Sequence, residues 1–216
     1  MTTNTNKSYK DYLDKTFLEE LNYKIWTTKG SRFNANKRLL LIYKMSTLSN
    51  SLISVYLIAI GLLSVYNLYN NQFIVQNVLP YLATCLAILL LVFNLVENSK
   101  NYQLRAKQFH DCGIELSEIY NALRIFKTLK DSPDLNEKER FAERIAAKYE
   151  AILKRYDNHD SIDHLLFQTR NPQYFKLSFL GTVFIRLRYF AETQLIYYAV
   201  MVLFPVISII VLFNYQ

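Results

Sequence analysis

The sequence contains a long uncharged run, residues 45–96, MSTLSNSLISVYLIAIGLLSVYNLYNNQFIVQNVLPYLATCLAILLLVFNLV, with no Asp, Glu, Lys, Arg or His. Residues 46–69 and 78–96 are mostly apolar, and residues 70–77 form a polar break between them. A helix needs roughly 20 residues to cross a hydrocarbon core of about 30 Å, so each apolar part is long enough. Because the break is short, the two spans turn straight back on themselves. The sequence therefore predicts a transmembrane helical hairpin.

The alternative is a soluble all-α protein with a very apolar buried hairpin, since the mean hydropathy is only +0.03. A soluble core helix normally keeps a polar stripe, however, and these spans have no charged residue. Residues 195–213 form a further uncharged run, with Pro205 inside it. With only 4 Gly and 4 Pro, the chain is suited to long helices. We therefore predict an all-α membrane protein with a third span at residues 193–216.

Basic residues indicate the orientation of the hairpin. They are frequent between Lys24 and Lys44, just before the first span, whereas residues 70–77 carry no charge. Lys and Arg collect on the cytoplasmic side of membrane spans. The N-terminus and the central soluble part are therefore expected in the cytoplasm, and the C-terminus on the opposite side.

The remaining segments are predicted from composition and periodicity. A second helix is expected to start near Ser31, and the second span is expected to continue as one helix past Glu97. The polar break at Asp131 ends that helix, and Asn136 with Glu139 resembles a capping box that starts the next one. The predicted divisions are a disordered tail at 1–8, cytoplasmic helices at 9–44, the membrane hairpin at 45–96, a cytoplasmic helical hairpin at 97–173, an aromatic and basic interfacial segment at 174–192, and the third span at 193–216.

The cytoplasmic hairpin carries a coiled-coil-like seam. Its apolar residues alternate at three and four positions, which is typical of a helix that packs along another helix. A two-helix hairpin makes a thin core, so the seam is expected to contact both the N-terminal helix and neighbouring subunits of a homo-oligomer. The predicted seam residues are Phe109, Cys112, Leu116, Ile119, Leu123 and Phe126.

The first span carries a stripe of small and polar residues. At 100° per residue they lie on one face of the helix. Small and hydroxyl residues let membrane helices pack closely, which is the simpler interpretation. The functional interpretation is that the stripe lines a water-filled path when several hairpins assemble. The candidate pore-lining residues are Ser46, Asn50, Ser54, Gly61 and Ser64.

Titratable side chains are concentrated between Asp157 and His164. Carboxylate and imidazole groups at such spacing are able to hold a metal or to act as acid and base. The simpler interpretation is a turn at a helix end, where Asn, Asp and His bind local backbone groups. No nucleophile elbow or phosphate-binding glycine loop occurs in the sequence, so neither an enzyme nor a cofactor is expected.

Short motifs lie on both sides of the hairpin. They contain Arg32, Lys37 and Arg38 before the first span, and Asn158, His159 and Asp163 after the cytoplasmic helical pair. These motifs resemble the SLATT family, the two-span effectors associated with SMODS and SLOG domains in bacterial conflict systems. The resemblance covers the chain from about Leu18 to the C-terminus, and the third span is similar to the branch found beside reverse transcriptases.

The resemblance implies a pore-forming antiphage effector of the bacterial inner membrane, acting through abortive infection. Its partners would be the lipid bilayer, further copies of the chain, and a trigger. The trigger would be a reverse transcriptase with its RNA and cDNA, or a nucleotide second messenger. The alternative is a non-conducting adaptor that anchors or inhibits a partner reverse transcriptase or nucleotidyltransferase through its basic N-terminal segment.

Overall fold

The computed structural model describes residues 16–65, 77–129 and 133–214. Helices make up nearly all of this part of the chain, and it contains no strand. The predicted tail at 1–8 and most of the loop at 70–77 lie outside the described residues. The helices are α1 Phe17–Val65, α2 Leu79–Ser99, α3 Tyr102–Leu129, α4 Leu135–Arg155, α5 Ser161–Arg170, α6 Phe179–Thr193 and α7 Leu195–Asn214.

Helices of the described part have the length and composition of membrane spans. The helix α1 is long and apolar enough to cross a membrane, and so is the helical run Leu79–Leu129 that begins with α2. The helices α6 and α7 form a third span if they are taken together as one helix that bends at Gln194. The chain is therefore an all-α integral membrane protein, as the sequence predicts.

The helix α1 is continuous from Phe17 to Val65, so the predicted new helix near Ser31 is wrong. The sequence at Gly30 suggests a break because glycine lowers helix stability by about 1 kcal/mol relative to alanine. Here the missing side chain makes room for another residue: a Cβ on Gly30 would lie 2.2 Å from the ring of Phe167. Packing of Phe167 on the bare backbone thus offsets the low helix propensity of Gly30.

The second predicted boundary that differs lies after α2. We expected one helix to continue past Glu97, but α2 ends at Ser99 and α3 begins at Tyr102. Asn101 has a φ of 46°, in the left-handed region. Asparagine tolerates this conformation because its short side chain bonds to nearby backbone, and it bonds here to the carbonyl of Ser99.

By its internal contacts the chain divides into two units, described separately. The first contains α1 up to Leu39 together with Leu104–Tyr189. The second contains Leu40–Gln103 together with the chain from Phe190 onward.

The core of the first unit forms between the start of α1, α3 and α4. All six predicted seam residues on α3 are buried, from Phe109 at 3% exposed to Phe126 at 9%, and the five from Cys112 onward lie in this core. Phe126 stacks on Phe141 of α4 with ring centres 3.9 Å apart. The seam therefore has partners in its own chain, and its use between chains stays a prediction that would require these helices to part. The buried cluster contains Leu21, Ile25, Cys112, Leu116, Ile119, Leu123, Phe126, Phe141, Ile145, Tyr149 and Ile152.

The helix α4 begins two residues earlier than predicted. Its N-cap is Asp134, whose carboxylate accepts a hydrogen bond from the backbone N–H of Leu135 at 2.7 Å. The expected capping box at Asn136 and Glu139 is therefore wrong. Both residues lie inside the helix, because Asp134 is itself a favourable N-cap and follows Pro133 directly.

The second unit contains the spans. Ile53 and Ile60 of α1 pack with Leu79 and Leu86 of α2 in one buried cluster. A further cluster joins Ile42 and Met45 of α1 to Tyr197 and Met201 of α7. Large apolar side chains cover the outside of this unit, which is expected where a helix contacts lipid. Examples are Val55, Ile58, Leu62, Ile88, Leu91 and Leu95, each at least half exposed.

The predicted interfacial segment contains a turn and most of α6. Phe179 and Leu180 at the start of α6 are 81% and 78% exposed, and Phe184 is 68% exposed. The helix continues to Thr193, one residue past the predicted end of this segment. Its position at the membrane surface stays a prediction.

The contact of Gly30 with Phe167 provides a test of the fold. In Gly30→Ala the new methyl group overlaps the ring of Phe167, which is only 7% exposed and packs against Trp26. Overpacking costs roughly 1–3 kcal/mol, and the gain in helix propensity of about 1 kcal/mol offsets only part of it. We expect a lower free energy of unfolding, measured by Trp26 fluorescence in detergent.

Gly61→Ala is the matched control, since no atom lies within 4 Å of its Cβ position. The substitution Phe167→Leu should lower the free energy of unfolding less in the Gly30→Ala protein than in the wild type, because the smaller side chain relieves the overlap with the new methyl group. Wild-type stability of Gly30→Ala would contradict the close approach.

Candidate functional site

A buried ion pair joins α1 to the start of α5 in the first unit. The guanidinium of Arg38 donates from Nε to Oδ1 of Asp163 at 2.8 Å and from Nη2 to Oδ2 at 2.9 Å. The side chains are 9% and 0% exposed, respectively. Such a bidentate pair is among the strongest hydrogen-bonded contacts between side chains, and it fixes the relative geometry of the two groups.

Asp160 extends this pair to the loop before α5. Nη2 of Arg38 also donates to Oδ2 of Asp160 at 2.5 Å. Asp160 is the N-cap of α5, and its backbone N–H donates to Oδ2 of Asp163 at 3.2 Å. The Asp163 carboxylate thus serves both the helix start and Arg38. We call Arg38, Asp160 and Asp163 the ion cluster.

The electrostatics of the ion cluster follow from burial and pairing. Burial opposes the charge on Arg38, but its bonds to Asp163 and Asp160 outweigh this and raise the pKa of the guanidinium. Arg38 is therefore fully charged at neutral pH. Asn34 adds a further bond, donating from Nδ2 to the backbone carbonyl of Asp163 at 3.0 Å.

Arg32 lies six positions before Arg38 on α1 and has a different environment. It is 1% exposed, and its Nη2 donates to Oδ1 of Asn158 at 3.4 Å. The guanidinium also lies 5.4 Å from the ring centre of Phe109. Its Nε and Nη1 have no hydrogen-bond partner among the described residues. Burial lowers the pKa of Arg32 from its ordinary value.

Two histidines of this region, His159 beside Arg32 and His164 on α5, are kept neutral by burial. Burial, followed by the charge of Arg32, lowers the pKa of His159 to about 4. Its Nδ1 is buried without a partner in the described part of the chain. Burial also lowers the pKa of His164, whose Nδ1 lies 3.2 Å from Oγ of Ser31 and whose Nε2 lies 3.1 Å from Nε2 of Gln168. Neutral rings avoid adding positive charge beside Arg32.

An aromatic cluster covers the other side of α5. Trp26 of α1 meets Phe167 edge-on, with ring centres 4.8 Å apart, and meets Tyr174 at 5.2 Å. Phe175 lies 6.3 Å from Trp26 and 6.0 Å from Phe167. These rings hold α5 and the following turn on α1.

The structure brings together most of the residues that carry the family resemblance. Arg32 and Asn158 form one contact and Arg38 and Asp163 another, while His159 lies beside Arg32. Lys37 is exposed and takes no part. The guanidinium of Arg38 is bonded to Asp160 and Asp163, so in this conformation it is not available to bind a partner as part of a basic docking surface. The functional role of these residues stays a prediction.

Asp160 lies within the titratable run from Asp157 to His164 that the sequence singles out, but the pattern gave it no partner, and Asn34 and Ser31 were assigned no role. Asp160 with Asp163 three positions later is a possible helix-start pattern, which would have identified both carboxylates as N-terminal groups of α5. Nothing local in the sequence pairs either with Arg38, since Arg38 and Asp163 are 125 positions apart.

The geometry of the ion cluster favours a structural contact between helices over a metal site or a proton-transfer site. Both carboxylate oxygens of Asp163 already accept bonds from Arg38. Among the described residues, no three His, Cys, Asp or Glu side chains are grouped to hold a metal ion. The arrangement holds α5 and the preceding loop in one position on α1.

The candidate pore-lining stripe lies in the second unit and is mostly turned inward. Ser46 is 5% exposed, and the other members are half-buried. Ser54 donates from Oγ to the carbonyl of Asn50 at 2.9 Å, and Gly61 faces open space. The Oδ1 of Asn50 and the Oγ of neighbouring Ser49 are buried with no partner in the described structure. No observation shows a pore lining, so that assignment stays a prediction.

Glu97 is a buried carboxylate at the end of α2, only 7% exposed. It accepts bonds from the hydroxyl of Tyr197 at 2.7 Å and from Nζ of Lys100 at 3.0 Å. Ser46 of α1 also hydrogen-bonds to it. Glu97 thus joins α1, α2 and α7, a role that its position at the edge of the uncharged run did not reveal.

The comparisons with known proteins identify one family. The model of the SMODS and SLOG-associating 2TM effector domain family 5 matches residues 14–211. No curated protein and no solved structure matches the chain.

The ion pair predicts a large stability loss on removal of one partner. Asp163→Asn leaves the guanidinium of Arg38 buried without its bidentate acceptor, and breaking a buried pair in this way costs roughly 3–5 kcal/mol. Unfolding of the detergent-solubilised chain by urea, followed by Trp26 fluorescence, measures this loss. Lys37→Ala, an exposed neighbour, is the control and should change stability by less than about 0.5 kcal/mol.

The double variant Arg38→Met with Asp163→Leu separates charge burial from packing. It removes both charges, so it should be more stable than Asp163→Asn alone. An Asp163→Asn protein as stable as the wild type would show that the pair does not hold α5 on α1.

The neutral His159 predicts a loss of stability on acidification. The unfolded chain takes up a proton near pH 6.5, whereas the folded chain does so only near pH 4. Between these values the unfolded state binds more protons, so the free energy of unfolding falls as the pH falls. The loss from this group is at most about 2 kcal/mol at pH 5. Urea unfolding at pH 7 and at pH 5 measures it.

His159→Gln removes the titrating ring and should reduce this pH dependence while leaving Arg32 and the ion cluster in place. His110→Gln is the control, since His110 is an exposed histidine. Equal losses at pH 5 for the wild type and His159→Gln would contradict the assignment.

Proposed function

The chain belongs to the SMODS and SLOG-associating two-transmembrane effector domain family 5, and from this we propose that it is the pore-forming effector of a bacterial antiphage system. In the proposal, several copies assemble in the inner membrane and depolarise or permeabilise it, which stops the infected cell from supporting the phage. Membership of this family supports the part of the proposal that makes the chain a membrane effector in a defence system. The pore and its trigger are the steps that we add.

The observation that carries the pore is the polar interior of the second unit. Ser49 Oγ and Asn50 Oδ1 are buried there with no partner in the described residues, and Ser46 reaches Glu97. An unsatisfied polar group within a membrane protein is costly unless water or another protein group reaches it. Such groups therefore tend to mark a path for water or a solute. A rearrangement that admits water beside them would satisfy these atoms.

The outside of the same unit supports assembly in the bilayer. Ile58 and Leu62 of α1 are 62% and 50% exposed, and Leu95 of α2 is 64% exposed. One face of α1 is thus suited to lipid and another carries polar side chains. Helices of this kind enclose a polar lumen when several copies place their polar faces together.

The trigger is proposed to act on the first unit. It would be a partner reverse transcriptase with its nucleic acid, or a nucleotide signal. The helix α1 supports this idea, because it carries Arg32 and Arg38 and continues without interruption through the first span to Val65. We propose that a signal received at the ion cluster is passed along this helix to the polar stripe.

Substitutions in the stripe test the pore. In Asn50→Leu and Ser54→Leu, apolar side chains replace the proposed lining, and both should reduce ion flux about tenfold or more because water no longer solvates an ion at that depth. Membrane potential and dye entry in expressing cells measure the flux. Ser51→Leu is the matched control, because Ser51 is an exposed serine on the same helix.

Protein level and membrane insertion of each variant are measured in the same cells. Unchanged flux and toxicity in both stripe variants would remove the lining assignment. Intact membranes for the wild type under every condition, with a partner still recruited to the membrane, would favour a non-conducting adaptor instead.

A further inference from the structure

A groove runs between the end of α3 and the start of α4 in the first unit, with a volume of about 830 Å³. Its floor is apolar and includes the stacked rings of Phe126 and Phe141. Its lining residues are Ala122, Ile125, Phe126 and Leu129 of α3 and Asp134, Glu137, Arg140, Phe141 and Arg144 at the start of α4.

Large apolar side chains at this groove are left open to solvent. Ile125 is 58% exposed and Leu129 is 76% exposed. Leu135, in the first turn of α4, is also 76% exposed. A concentration of exposed apolar residues rimmed by charges is typical of a protein interaction surface. A groove between two helices is shaped to receive a third.

The charges on α4 identify the occupant. Asp134 and Glu137 come first along the helix, and Arg140 and Arg144 follow on the same face. Arg140 donates to the carbonyl of Asn136, and Arg144 lies over the ring of Phe141. Neither arginine forms an ion pair within the described part of the chain.

This order of charges is self-complementary about a twofold axis. If two copies of α4 cross in antiparallel orientation near Glu139, Glu137 of each faces Arg140 of the other. Asp134 of each then faces Arg144 of the other. A twofold interface uses the same patch on both copies, and an acid-first, base-second pattern along one helix is what such an interface needs.

We propose that the α3–α4 groove is the surface through which two copies of this chain associate, with the start of α4 of each copy in the groove of the other. The proposal rests on the proposed function in one respect, that both copies lie in one membrane. The contact is short, about 15 Å of helix between Asp134 and Arg144. Confinement to the same plane raises the effective concentration of the copies, so a weak contact is sufficient.

A charge swap tests the twofold contact. Labelled full-length chains are reconstituted into liposomes, and their association is measured by resonance energy transfer as a function of the protein-to-lipid ratio. Glu137→Arg and Arg140→Glu each place like charges opposite one another at both symmetric contacts. Each should weaken association about tenfold.

Restoration identifies the partner as a second copy. The double variant Glu137→Arg/Arg140→Glu recreates both opposite-charge contacts, and so does a mixture of the two single variants. Both should return association to near the wild-type level. Lys154→Glu, an exposed charge reversal near the other end of α4, is the control and should leave association unchanged. Trp26 fluorescence checks that each variant is folded.

Single variants that associate like the wild type would overturn the proposal, as would a double variant as weak as the singles. Loss of binding to anionic vesicles or to an acidic protein, without an effect on self-association, would overturn it in favour of that occupant. Dye passage in the same liposomes separates this proposal from the proposed function. If dye passes in every variant and the charge variants associate like the wild type, the groove proposal is rejected and the pore is kept. If the charge swap restores association but no variant, nor the wild type, passes dye, the pore is rejected and the groove proposal is kept.

Discussion

The ion pair between Arg38 and Asp163 is the contact on which the first unit depends most. Removing two charges from water costs several kcal/mol for each ion, and only good geometry with further hydrogen bonds offsets this. The bidentate contact provides that geometry, with Asp160 on the same guanidinium and the Asp160 backbone on the same carboxylate. Because neither charge is tolerated alone at this depth, α1 and α5 keep their positions together.

Arg32 shows the opposite balance a short distance along the same helix. It is more deeply buried than Arg38, yet its contacts are one long hydrogen bond to Asn158 and the face of the Phe109 ring. The neighbouring His159 avoids repulsion by remaining neutral, at the cost of a buried Nδ1 without a described partner. One region of α1 therefore contains both a satisfied and an unsatisfied cation.

The two units use polar groups in related ways. In the first, α1 contributes the buried cations, and in the second it contributes Ser46, which bonds to Glu97 together with Tyr197 and Lys100. In both, apolar packing supplies most of the contact area, while a buried carboxylate selects one arrangement of the helices. An apolar core alone tolerates sliding between helices, whereas a hydrogen-bonded charge does not.

The spans and the helical class follow from the sequence alone. Length and absence of charge are local properties, so residues 45–96 predict a membrane hairpin without knowledge of any contact. The periodicity of α3 likewise predicted a row of its buried side chains, from Phe109 to Phe126. The expected breaks near Ser31 and the expected continuity past Glu97 were wrong, because packing of Phe167 on Gly30 and the left-handed Asn101 decide these points.

The partners of the polar residues depend instead on how the helices pack. Arg38 and Asp163 are both visible in the sequence, but 125 positions separate them, and no local pattern states that they pair. The same holds for Glu97 and Tyr197, which are 100 positions apart. A charged residue in the sequence is equally compatible with solvent, a surface partner or a buried partner. The free energy that selects among these comes from burial, which exists only once the helices have packed.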